Sequence, residues 1–306
     1  MAMNTATFRD VVSPFLNTVF DGQYNAHPAE WSRFFKVEEA LDRSYEEEVV
    51  LYNFGYAPVK GQGAPITYDQ GGEHYKTPFQ YVVYALAFAL TEELMEDGEH
   101  IKIGSKYSAA LANSMRVTKE QFHANVLNNA TSGSYLGGDG VSLLSTSHPY
   151  ALGGTFSNTL ATQADISEAS LEQLLIQMNT ARDGRTLAVS IKPKMIIISP
   201  QIQYEAERIL RSVLRVATGN NDINAMKSMG QLQGDDSILV NHYLTGTTFY
   251  GIVSDAEQGF IHKRRRALRK KMEGDFETGN MRYKADERYY ATWVDPRCMY
   301  GSPGLA

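Results

Sequence analysis

From Ile103 to Asn129, Tyr107, Ala110, Leu111, Ser114, Thr118, Phe122 and Val126 recur at three- and four-residue steps, the spacing of one helix face. At 1.5 Å per residue such a helix is roughly 40 Å long. Arg116 and Glu120, four apart, would support its exposed side. A second helix is expected behind a Ser170–Gln173 capping box, where Leu171, Leu174, Leu175 and Met178 keep helical spacing. Asp183-Gly184 reads as a turn, and the β-branched run Lys194 to Ile198 reads as a buried strand. Ser199-Pro200 then supplies an N-cap and a first-turn proline for a helix over Gln201 to Val216. Ile238 to Asn241, Thr247 to Val253, Met281 to Tyr283 and Tyr289 to Trp293 read as strands.

Two stretches depart from these periods. Between Asn53 and Phe79, Gly55, Pro58, Gly61, Gly63, Pro65, Gly71, Gly72 and Pro78 are interleaved with Tyr56, Val59, Ile66, Tyr68 and Tyr75. That density of glycine and proline forbids helix, and the short apolar alternations predict a long two-stranded hairpin without a core of its own. Residues 1–50 read as an extended arm anchored by Trp31, Phe34 and Phe35, leading into a polar, solvated helix over Glu38 to Glu48. The glycines at 61–63, 71–72 and 137–140 are expected to act as hinges.

Composition narrows the function classes. The net charge of −6 and pI near 5.7 argue against a protein built mainly to grip nucleic acid. The single cysteine, Cys298, excludes an internal disulfide, and the apolar run Phe79 to Leu90 falls short of the roughly 20 residues that span a bilayer. No signal peptide or membrane segment is read. The seven histidines are scattered without HExxH or other ligand spacing, so no metal site is predicted. Gly133-Ser134-Tyr135 is no nucleophile elbow, His148-Pro149 reads as a turn, and Gly61-Gln62-Gly63 and Gly137 to Gly140 are not phosphate loops. No catalytic residue or cofactor emerges. One charge feature stands out: Lys263, Arg264, Arg265, Arg266, Arg269, Lys270 and Lys271 lie in a run without an acid. This run is either a solvated strand face or a patch for an anion, meaning nucleic acid or an acidic neighbour such as Glu46-Glu47-Glu48.

Residues 141–214 resemble the tailed-phage major head subunits, including the Mu-like head subunit family. The resemblance lies in His148-Pro149, Asn158, the helix opening at Ser170-Leu171-Glu172, Asp183-Gly184-Arg185, Lys192-Pro193 before an apolar strand, and Pro200 before a helix with Ala206, Ile209 and Leu210. The closing Arg288 to Ser302 is similar to the C-terminal strands of such proteins. The resemblance implies the Hong Kong phage (Johnson) capsid fold, an α+β architecture. Its parts would be an N-terminal arm and linking helix (1–50), an extended loop hairpin (51–90), a peripheral domain with a long spine helix (91–165), an α/β axial domain (166–255), and strands returning to the peripheral domain (256–306). It further implies a non-enzymatic shell subunit that forms hexamers and pentamers of an icosahedral head around double-stranded DNA. Trp31, Phe34, Phe35, Tyr56, Lys60, Gly61, Gly63, Ile66 and Tyr68 would meet neighbouring copies. A portal, a decoration protein and non-specific contact with packaged DNA on the inner face are further expectations, with assembly in the host cytoplasm. The chain opens almost at the arm, so a separate scaffolding protein is also expected. An encapsulin-like compartment shell is an alternative, as is an α/β enzyme or small-molecule-binding protein.

Overall fold

The computed structural model describes residues 5–96, 100–215, 222–234, 236–275 and 277–305. Helix α1 (Thr5–Tyr24) leads to strands β1 (Lys36–Glu39), β2 (Tyr45–Tyr52), β3 (Gly72–Gln80) and β4 (Val82–Leu90), then to the short α2 (Glu92–Glu96) and the long α3 (His100–Asn128). Strands β5 (His148–Pro149) and β6 (Thr155–Phe156) precede α4 (Glu168–Asn179), β7 (Pro193–Ile198), α5 (Gln203–Arg211), α6 (Ala225–Ser228), β8 (Ile238–Val240) and β9 (Tyr250–Ser254). The long β10 (Phe260–Gly274) and β11 (Met281–Trp293) follow, then β12 (Met299–Ser302).

Two four-stranded sheets organise these elements. The first has the order β1-β10-β11-β4, with β1 parallel to β10 and the other pairs antiparallel. α1 and α3 cover one of its faces, burying Val12, Leu16, Phe20, Leu111 and Met115 against Met272, Tyr283 and Ala285. The second sheet has the order β12-β9-β7-β8. Its β7 is apolar at successive positions because both of its faces are covered. Ile196 and Ile198 pack with Leu171, Leu174, Met178 and Leu210 of α4 and α5, while Met195 and Ile197 pack with Trp31, Phe34 and Trp293 on the other side.

Several expectations are corrected. The N-terminal segment is helical over Thr5–Tyr24 rather than an extended arm, and Glu38 to Glu48 contributes to β1 and β2 rather than to a polar helix. Trp31, Phe34 and Phe35, expected to reach a neighbouring copy, are 9%, 6% and 4% exposed within their own subunit. Three large rings in five residues bury too much apolar surface to wait for a partner when the gap between α3 and β10 is open to them.

The buried face of α3 is also rotated. It runs through Gly104, Ser108, Leu111, Ala112, Met115, Lys119, Glu120, His123 and Leu127, leaving Tyr107, Ala110 and Thr118 exposed. Apolar periodicity misses this stripe because four of its members are polar and satisfied by distant partners. Glu120 therefore does not form the expected surface pair with Arg116; it accepts the backbone N–H groups of Glu30 and Trp31 at 3.0 and 3.3 Å.

The cap of α4 is Ser167, whose hydroxyl accepts from Ser170 N while the Ser170 hydroxyl accepts from Ser167 N. α5 begins after a 3-10 turn at Pro200–Ile202 and stops at Arg211; the expected end at Val216 lies outside the described residues. Ser199 holds the N-cap position of that 3-10 turn ahead of Pro200, but its hydroxyl donates to Thr247 O instead of capping the turn. β9 starts at Tyr250, and β12 joins the second sheet, so not every C-terminal strand returns to the first. Gly137 and Gly138 are not hinges: a Cβ on the first would overlap the Trp293 ring, and one on the second would overlap Lys76 O.

Because Phe35 belongs to this core, Phe35→Ala is expected to cost about 3–5 kcal/mol of subunit stability, measured by urea unfolding of the isolated chain.

Candidate assembly surface

β2 and β3 form an antiparallel ribbon from Tyr45↔Gln80 to Tyr52↔Gly72, with an irregularity after Val50. Its base is anchored where Val50, Phe79 and Tyr81 pack on Ile261 and Val294, and where the Tyr75 hydroxyl donates to Val294 O at 3.1 Å. The expected hairpin is thus present, but its ladder flanks the glycine-rich segment instead of running through it. Residues 53–71 hold no strand. Their prolines lack the N–H that a ladder needs, their glycines offer nothing to pack, and Gly63 takes a left-handed φ of +78°.

Tyr56, Lys60, Gly61, Gly63, Ile66 and Tyr68 all lie on this loop and all are exposed. Val59 and Tyr68 are 99% and 92% exposed, and Tyr56 and Ile66 are largely so. The neck of the loop is tied down. Arg185 Nη1 donates to both oxygens of Asp69 at 2.8 Å and to Gln70 O at 3.3 Å, while Gly55 N donates to Asp69 Oδ2 at 2.7 Å. The Arg185 guanidinium, helped by the Gly55 N–H, holds the Asp69 carboxyl down at about 2. Arg185 is aimed by its own turn, in which Asp183 Oδ1 accepts from Arg185 N and Leu187 N.

The expected basic patch resolves differently. Lys263 is buried and bonded to Glu46 and Glu48 of β2, so the acidic run named from sequence is its partner, within the same chain. Arg264 pairs with Glu39, Arg265 with Asp42, Arg266 and Arg269 with Asp286, and Lys270 with Asp21. Of the seven cations only Lys271 has no acid within 4 Å among the described residues. Strand pairing brings in carboxylates that a linear reading of residues 262–271 cannot show.

Along α3 runs a trough of about 610 Å³ lined by Tyr84, Ala110, Asn113, Val117, Phe122 and Asn125 among others, none of them charged. Beneath the helix lies a polar node. Lys119 Nζ donates to Glu287 at 2.9 Å and sits over the rings of Trp31 and Tyr289. His123 Nδ1 donates to Lys119 O at 2.6 Å, which leaves Nε2 bare to accept from His262 Nδ1 at 3.0 Å. Both imidazoles are therefore neutral. Burial drives the pKa of His123 down to about 3 and that of His262 to about 2, the latter also opposed by the charges around it.

His148 is not a turn residue either: it is fully buried, with Asp139 Oδ2 at 2.6 Å and Asn158 Oδ1 at 3.2 Å. The Asn158 amide nitrogen donates to Leu143, Pro296 and Met299 carbonyls, tying this loop to β12. The partners in these networks lie up to 168 positions apart, so spacing alone carried no signal. Cys298 is buried, and burial raises its thiol pKa well above the usual range.

Solved structures share this architecture. The chain is similar to the capsid of the cyanophage P-SCSP1u (12% identity, TM-score 0.53, covering 89% of this chain and 86% of that one). It is also similar to the capsid of an empty GTA particle (12%, 0.52, covering 94% and 97%) and to the procapsid of bacteriophage JBD30 (10%, 0.51, covering 99% and 77%). At such identities the likeness shows the fold, which is that of the phage major capsid proteins. A search of curated protein sequences gives no match. The family model described as "Phage capsid protein" matches residues 76–302, and the chain belongs to that family. It is a structural component of the phage capsid. The narrower likeness to the Mu-like subunits stays an expectation.

The histidine pair gives the subunit an acid limit. Its folded pKa values lie below the unfolded 6.5, so below that pH the unfolded chain binds more protons and stability falls. Between pH 7 and 5 each neutral imidazole is expected to cost about 2 kcal/mol. Thermal unfolding should show this pH slope in the wild type and a shallower one in His262→Gln.

Proposed function

We propose that copies of this chain assemble into hexamers and pentamers of an icosahedral head enclosing double-stranded DNA, and that the loop over residues 53–71 is the main connector between copies. The observation that supports this most directly is the exposure of Tyr56, Val59, Ile66 and Tyr68 on a segment without ladder or core. A two-stranded ribbon is marginal alone in water, and large exposed apolar residues mark an interaction site. Obligate contacts of the expected kind bury upwards of ~2,000 Å², more than one loop supplies, so other faces contribute. The uncharged trough along α3 suits a nearly uncharged loop, and we assign it to the neighbour's Tyr56–Tyr68 segment.

In this reading the first sheet with α1 and α3 is the peripheral domain, α3 is the spine helix, and the second sheet with α4 and α5 is the axial domain. Assembly would take place in the host cytoplasm with a separate scaffolding protein and a portal, and a decoration protein would bind the finished shell. Tolerance for the different angles of hexamers and pentamers would come from the tip at Gly61 and Gly63, where an added Cβ would touch only Ala64 Cβ at 3.8 Å or nothing at all.

Replacing residues 56–68 by a short Gly-Ser linker is expected to leave a folded subunit with wild-type circular dichroism and unfolding midpoint. Negative-stain microscopy should then show no shells, rings or tubes, where the intact chain forms them. Normal shells from the shortened chain would refute the connector role.

A further inference from the structure

β4 ends the first sheet, so one whole edge of it has no strand beside it. Among the described residues, no hydrogen bond joins the outward backbone groups of Val82–Leu90 to another segment. The pairing with β11 runs through the strand without a bulge, and its sequence, VVYALAFAL, holds no charge, proline or glycine. Val82, Val83 and Leu86 are exposed, while Tyr84 and Phe88 are half-buried against Phe122 and Tyr107.

A straight apolar edge is a template for another chain, and proteins blunt such edges with charges, proline, bulges or brevity. The other edge strands among the described residues are blunted in these ways. β1 has four residues, three of them charged, β8 has three residues and β12 four. β2 carries Glu46, Glu47 and Glu48, β3 carries Lys76 and Pro78, and β5 and β6 have two residues each. β4 alone is left long, neutral and open.

We infer that β4 pairs antiparallel with β4 of a second copy about a two-fold axis through Leu86, joining two four-stranded sheets into one. Self-pairing suits a neutral strand, because no position then opposes a like charge. An axis through Leu86, the middle residue, brings the whole strand into the ladder, with roughly eight to ten hydrogen bonds. Leu86 then faces its own copy, Tyr84 faces the partner's Phe88, and Val83 faces the partner's Ala89. The neighbour's Tyr56–Tyr68 loop fits this edge less well. Pro58 and Pro65 lack the N–H that a ladder needs, and beyond Tyr68 the chain is held at Asp69 by its own Arg185. The axis stands perpendicular to the sheet, so both α3 helices keep to one face and their uncharged troughs adjoin over the joint. A single strand pairing buries less than the ~1,200 Å² of a stable interface, so this joint adds to the loop contact without replacing it.

The test places single cysteines on β4 of the intact chain and oxidises it; Cys298 is buried and stays silent. Leu86→Cys should give a band at twice the 34.1 kDa chain mass on a non-reducing gel. Directly opposed residues of an antiparallel pair have Cα atoms about 4.5–5.5 Å apart, within disulfide reach. Val83→Cys alone should give no such band, since its two copies stand roughly 20 Å apart. Val83→Cys co-expressed with Ala89→Cys should restore it. Adding Leu86→Lys to both chains of that mixture should abolish the band by setting like charges on the axis. Adding Leu86→Lys to one chain and Leu86→Glu to the other should bring it back. Every variant should keep the wild-type circular dichroism, because the substituted positions are exposed. Overturning results are no dimer from Leu86→Cys, equal cross-linking at every position, or no recovery with opposite charges. Cross-linking of Leu86→Cys to Ile66→Cys, and not to itself, would also overturn it by giving the edge to the neighbour's loop. The chain with residues 56–68 replaced should show the same cross-linking pattern, so failure of the connector role and failure of this joint are read apart.

Discussion

The register of α3 on the first sheet depends on a polar fastening set beside its apolar seam. Lys119 reaches Glu287 of β11, Glu120 caps the turn that carries Trp31, and His123 meets His262 of β10. Breaking such a buried pair by removing one partner is strongly destabilising, because the remaining charge has no water to return to. A purely apolar seam would allow the helix to slide or rotate by a residue; hydrogen bonds to three different elements allow one register. The rings of Trp31, Tyr289 and the two histidines stack around this node and close it to solvent.

That fastening also explains what could be read from the sequence and what could not. The helices and the strand from Lys194 to Ile198 were legible because local apolar spacing reflects packing against a single neighbour. The length of α3 was legible for the same reason, but its orientation was not: Lys119, Glu120 and His123 look like a solvated face until Glu287, Trp31 and His262 are brought beside them. The aromatic cluster at residues 31–35 failed the same way. Nothing local tells a core anchor from an interface anchor, and the decision rests with β10, more than 220 positions further on.

The exposed loop and the basic run divide along the same line. The exposure of Tyr56, Ile66 and Tyr68 was readable because a glycine- and proline-rich loop cannot bury large side chains by itself. The basic run was visible as a charge pattern, yet most of it is neutralised by Glu39, Asp42, Glu46, Glu48, Asp286 and Asp21, carboxylates brought in by strand pairing and by α1. The Asp183-Gly184-Arg185 turn gains a physical reason from the structure. Asp183 shapes the turn, Gly184 lets it approach Tyr52, and Arg185 holds the neck of the loop.

The parallel pairing of β1 with β10 carries a temporal consequence. Lys36 is joined to Ile261, so β1, unlike α1, which already has α3 to pack on, finds its strand partner only after about 220 more residues have been made. During translation this strand must wait, and the sheet cannot close until synthesis has passed residue 293. Contacts of such separation are slow to form. A nascent chain therefore cannot hold the finished first sheet before residue 293 has left the ribosome.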